Sequence, residues 1–179
     1  MTTRRLAVLL MLLACAGTAE AAPATARIGD LLLDYDDAGW RVATRPDGAE
    51  ITAIECDVPR CDDDGTNIAV TIVPPDGPLP TAIPRREAGF VQPLWDLLAD
   101  VDASGPRDDP VRAVNGFLVF ATDRWSGCRA MSPSELTAIL DHQDRRYTFT
   151  SGVARGCRGV WGVPREDFVA VLSGLRPAP

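Results

Sequence analysis

Apolar and polar positions alternate with period two over much of this chain, and the alternation is punctuated by short turn signals. Leu31-Leu32-Leu33-Asp34-Tyr35 predicts a strand, Asp36-Asp37-Ala38-Gly39 a turn, and Trp40-Arg41-Val42-Ala43-Thr44 the next strand. Pro46-Asp47-Gly48 is a second turn, since proline fixes φ and glycine accepts positive φ. Glu50 to Glu55 alternates strictly, so the opening predicts three antiparallel strands, and Ile68 to Val73 adds another before Pro74-Pro75. The proline-rich stretch from Pro74 to Pro84 reads as loop. From Arg86 to Val101 the period changes: Phe90, Leu94, Leu97, Leu98 and Val101 share one helical face, with Pro93 predicting a kink or a helix that begins there.

Beyond a linker from Ser104 to Pro110 the strand pattern returns. Val111–Val114 and Phe117–Trp125 flank Asn115-Gly116, a tight-turn dipeptide, and therefore predict a hairpin. Leu136 to Leu140 and Tyr147 to Thr150 form a second pair around His142-Gln143-Asp144-Arg145. Phe168, Val171, Leu172 and Leu175 then recur at helical spacing after Pro164, with Glu166 and Asp167 near the positive end of the helix and Arg176 near the negative one. The order implies an α+β fold: an antiparallel sheet of about six to seven strands, with a middle helix and a C-terminal helix packed against it.

The first residues carry a different signal. Arg4 and Arg5 precede the apolar run Leu6 to Leu13, which is too short to span a bilayer, and small residues follow up to Ala21. This order predicts a secretion signal over residues 1–21, cut after Ala19-Glu20-Ala21, a short leader over 22–27, and a single domain over 28–179. A competing reading takes Leu12-Leu13-Ala14-Cys15 as a lipobox, which would leave a lipid-anchored product beginning at Cys15. Either way the expected location is periplasmic or secreted, and no later stretch predicts a membrane span.

Charge narrows the partners. From Ala22 to Pro110 there are 7 arginines against 18 acidic residues, a net of -11; from Val111 to Pro179 there are 9 against 6, a net of +3. So acidic a domain repels phosphate backbones, and its arginines form no platform interleaved with aromatics, so nucleic acid is not an expected partner. The chain contains no lysine, which removes Schiff-base chemistry and lysine general bases.

Of five cysteines, Cys15 lies in the signal region. Cys56, Cys61, Cys128 and Cys157 form an even set in an oxidising compartment and are expected in disulfides. Three pairings are possible, and proximity favours Cys56 with Cys61 and Cys128 with Cys157. The second bridge closes about 30 residues and restrains the unfolded chain by roughly 3 to 4 kcal/mol in the entropic account. No C-x-x-C occurs, which speaks against metal or redox roles for these thiols.

Candidate chemistry is sparse. His142, the single histidine, falls in a predicted turn between Asp141 and Asp144, and the expectation there is a solvated side chain. G-x-S-x-G, H-E-x-x-H and glycine-rich phosphate loops are all missing from the sequence, and no cofactor is expected. Asp62, Asp64 and Asn67, beside Asp57, Asp63 and Gly65, cluster oxygen ligands around a turn glycine, but their register does not fit an EF-type loop, so no metal is expected there. Arg145, Arg146, Arg155 and Arg158, with Arg124 and Arg129, could gather on one sheet face and grip a carboxylate or phosphate; a solvated basic face is the plainer reading. Carboxylates such as Asp123 and Asp141 would serve a small hydrolase, since acid pairs need no fixed spacing.

Taken together, Gly39-Trp40 at an early strand, Gly116 before a central strand and the terminal Phe168 to Leu175 helix make residues 28–176 resemble the PsbP-like superfamily. That resemblance implies a small α/β/α domain with an accessory or binding role and no shared catalytic motif. The expectation is an exported accessory or binding protein without catalytic activity, acting on an unknown protein or small molecule.

Overall fold

Period-two alternation governs most of the residues that the computed structural model describes, namely 23–53, 67–87, 90–97, 109–125, 134–151 and 163–179. The strands are β1 (Ala24–Ile28), β2 (Leu31–Tyr35), β3 (Trp40–Arg45), β4 (Gly48–Ala53), β5 (Asn67–Val73), β6 (Val91–Pro93), β7 (Val111–Val114), β8 (Phe117–Trp125), β9 (Ser134–His142), β10 (Arg145–Ser151) and β11 (Leu175–Pro177), with one helix among the described residues, α1 (Arg165–Ser173). They form two antiparallel sheets. The larger has eight strands in the order β3-β4-β5-β10-β9-β8-β6, with β7 beside β6 on the same edge of β8; the smaller is β1-β2-β11.

This is a mostly β fold, and it overturns the α+β expectation of one sheet of six to seven strands with a middle helix. In place of the predicted helix over Arg86–Val101, the described residues 91–97 form β6 and a 3₁₀ turn at Leu94–Leu97, and Leu98 and Val101 lie outside the described residues. Pro93 stands opposite Thr122 on the sheet edge, where a residue without an N–H is tolerated. Phe90, which opened the supposed apolar face, is 61% exposed, whereas Leu94 and Trp95 are buried. The opening strands also part company: β3, β4 and β5 are neighbours in the large sheet, but β2 leaves it to pair with β1 and β11. β1 itself includes residues read from the sequence as leader, with Arg27 facing Leu32 and Ile28 facing Leu31.

Register explains where the core sits. Val119, Leu140 and Tyr147 stand opposite one another across β8, β9 and β10, as do Ala121, Ala138 and Phe149, and β5 and β4 continue the rows with Val70 and Ala49. All of these are buried, so these rows make one face of the large sheet largely apolar, with Asp123 and Ser151 the buried polar exceptions along its strands. Over it lie the small sheet, through Ile28, Leu31, Leu33 and Leu175, and α1, through Phe168, Val171 and Leu172, in one continuous core. The C-terminal helix therefore follows its predicted spacing except that Leu175 belongs to β11.

The proline-rich segment after β5 runs across the other face. Asp76 and Gly77 bond Arg146 of β10, and Glu87 bonds Arg124 of β8, so the segment spans the sheet on its way to β6. Among the described residues no helix is long and apolar enough to cross a membrane. Residues 1–22, with the two cleavage readings and Cys15, lie outside the described residues.

Candidate functional site

Two hairpin turns place the candidate site at one end of the large sheet. Asn115 (φ 47°) and Gly116 (φ 87°) join β7 to β8, and Gln143 (φ 48°) and Asp144 (φ 59°) join β9 to β10; both loops have two residues with positive φ, the hairpin geometry whose twist matches that of the strands. Asn115 is anchored from the side chain, its Nδ2 donating to the carbonyls of Ser173 (2.5 Å) and Leu175 (2.9 Å). That ties the β7–β8 turn to the end of α1 and the start of β11.

Between these ends lies a cleft of about 390 Å³, lined by Leu79 of the crossing segment, Asn115 to Leu118, Asp141 and His142 of β9, and Pro177 of β11. Most of its wall is apolar. His142 is the last residue of β9 and not a turn residue; it faces Arg145 in the ladder and is half-buried. Its ring meets Phe117 nearly edge to face, with centroids 5.4 Å apart at 83°. The Nε2 atom is buried and has no hydrogen-bond partner among the described residues.

The two carboxylates that an acid-base reading would use are both occupied by arginine. Asp141 accepts from Arg146 Nε (2.8 Å) and Nη2 (2.9 Å) in a fork-to-fork pair, while Arg146 Nη1 reaches Asp76 (2.9 Å) and Nη2 the Gly77 carbonyl (2.8 Å). The Asp141 hydrogen bonds raise the Arg146 guanidinium above its ordinary value. Asp123 is 1% exposed at an inward position of β8, opposite Leu136. Its Oδ2 accepts from Arg165 Nη2 (2.6 Å) and Nε (3.0 Å) at the start of α1 and from Gln92 Nε2 (3.3 Å), and its Oδ1 has no partner among the described residues. A buried carboxylate needs such a counter-charge, and this pair clamps α1 to the sheet.

The remaining candidates are scattered. Arg145 lies on the opposite side of β10 from Arg146 and pairs with Asp30 at 3.3 Å. Asn67 opens β5 opposite Thr52. Cys56, Cys61, Asp62, Asp64, Cys128, Arg155, Cys157 and Arg158 lie outside the described residues, and with them the disulfide pairing, the acidic loop and half of the arginine group. Within the described residues no group of three or more potential metal ligands occurs. Sequence reading missed the cleft because its wall is assembled from four separate segments; the adjacent Asn115-Gly116 turn and Phe117 were its one local signal.

Known protein-family models and curated proteins were both compared with the chain, and neither comparison finds a match.

Proposed function

We propose that this is an exported, non-catalytic binding protein whose ligand site is the cleft between the β7–β8 turn, the end of β9 and β11. The observation that carries this reading is the lining: Leu79, Phe117, Leu118 and Pro177 give an apolar wall, with His142, Asn115 and the Arg146-paired Asp141 as the polar groups beside it. A volume of about 390 Å³ falls at the small end of the range for small-molecule sites, about 300–1,000 Å³. The ligand class is therefore a compact, uncharged, largely apolar molecule or group. Engagement of Asp123 and Asp141 by Arg165 and Arg146 supports a binding role over the carboxylate hydrolase.

Leu118 is 63% exposed at the cleft rim, so it can be changed without opening the core. Titration with the neutral fluorophore N-phenyl-1-naphthylamine should give saturable enhancement in the parent protein and binding weaker by about tenfold in Leu118→Glu, at an unchanged melting temperature. Equal enhancement in the two proteins, or none in either, would remove the cleft from consideration. Export itself is tested by the intact mass of the product: a chain starting at Ala22 supports simple cleavage, and a diacylated Cys15 supports the lipid-anchored form.

A further inference from the structure

β7 has four residues, and Arg112 occupies one of its inward positions, opposite the buried Val119 of β8. A guanidinium turned toward the core side of a sheet edge must be paired or hydrated, because an unpaired buried charge is costly. Its carbon lies over the Trp95 ring, 5.7 Å from the centroid. Trp95 is in turn immobilised, 5% exposed with its indole Nε1 donating to the Pro110 carbonyl at 3.0 Å. The same carbonyl accepts the Ala121 N–H of β8 at 2.8 Å, so the platform beneath Arg112 is fixed to the sheet.

Other described arginines solve the charge problem differently. Arg124, Arg145, Arg146, Arg165 and Arg176 each reach a carboxylate, and Arg41, Arg45 and Arg85 stand in solvent. Arg112 is only partly exposed, its Nε is buried, and that atom has no hydrogen-bond partner among the described residues. In a chain of net charge -7 this is a cation held in place with no carboxylate within salt-bridge distance among the described residues.

We propose that Arg112, braced on Trp95, is a carboxylate-binding site for a small organic acid, separate from the apolar cleft. With Nε enclosed, the Nη1 and Nη2 edge is what a ligand meets, and a planar carboxylate matches that fork with two parallel hydrogen bonds. The indole face under its carbon stabilises the cation without using any of its N–H donors. A single guanidinium in a chain of net charge -7 suits a monoanion better than a doubly charged phosphate.

The test is an NMR titration of the full chain with sodium benzoate, followed at the Arg112 Nε–H and Trp95 indole N–H signals, with sodium chloride and inorganic phosphate as separate arms. Benzoate should shift both signals saturably in the millimolar range. Arg112→Gln should weaken the indole response by about tenfold or more, and Arg112→Lys, which keeps the charge but loses the fork, should weaken it as well. The Leu118→Glu protein should respond like the parent, which separates this site from the cleft. Shifts that follow benzoate and chloride alike, or a benzoate response unchanged in Arg112→Gln, would overturn the proposal. Saturation by phosphate at lower concentration than benzoate would overturn the carboxylate assignment.

Discussion

Single side chains set how this fold answers to pH. Tyr147 is fully buried, and its hydroxyl oxygen accepts the Asp30 N–H at 2.9 Å, joining β10 to the β1–β2 turn. Burial pushes the phenol above its ordinary value of 10.0, with the Asp30 hydrogen bond opposing. A raised value in the folded state means a contribution that is complete below pH 10.0 and lost as pH climbs through the raised value. Tyr147→Phe should cost about 1 kcal/mol at neutral pH, where the Asp30 N–H loses its acceptor, and the gap to the parent should close at alkaline pH in urea titrations. Asp34 behaves in the opposite sense. Hydrogen bonds from Arg176, then from Thr25, lower its carboxyl below the ordinary 3.8. That contribution is complete above 3.8 and disappears as pH falls through the lowered value. Thermal melts of Asp34→Asn should lie below the parent at neutral pH and merge with it in acid; a constant offset through the acid range would exclude the ion pair as the cause.

Elements were legible where local chemistry and periodicity agreed. Asn115-Gly116 announces its hairpin because those residues accept positive φ, and β5, β9 and β10 announce themselves by alternation. The segment from Phe90 to Leu97 misleads, since apolar residues at three- and four-residue intervals fit a helix as well as a short edge strand running into a 3₁₀ turn. What decides is the free edge of β8 beside Thr122 to Arg124, to which Val91–Pro93 pair. Close approach decides another element. A Cβ on Gly48 would run into the Val70 carbonyl, at the point where the β3–β4 hairpin passes onto β5. Gly48→Ala should therefore destabilise the protein by about 3 kcal/mol, a backbone displacement being the only relief. A urea midpoint within error of the parent would show that β4 and β5 can separate there without penalty.

At the scale of the whole molecule, the two ends of the described chain close the core together. β11 pairs with β2, Leu175 is 1% exposed, Arg176 reaches Asp34, and the Leu175 carbonyl accepts from Asn115. Ending the chain at Gly174 would uncover the edge of β2 and the apolar row behind it. Loss of a buried leucine alone costs about 2–5 kcal/mol, so the melting temperature should fall by about 10 °C in calorimetry. An unchanged melting temperature would mean that the small sheet adds little to the cooperative core. The sequence by itself determined most strand positions, both tight turns and the C-terminal helix, because those depend on alternation, φ preferences and helical spacing within a few residues. It also determined the charge asymmetry and the single histidine. Tertiary structure decided that β2 pairs with β1 and β11 instead of β3, that Pro93 lies in an edge strand, and that Asp123 is buried against Arg165. It decided the cleft around His142 and the Arg112–Trp95 pair as well. Each of these joins residues far apart in the chain, and such contacts are chosen by competition among free strand edges and apolar faces that no local pattern records.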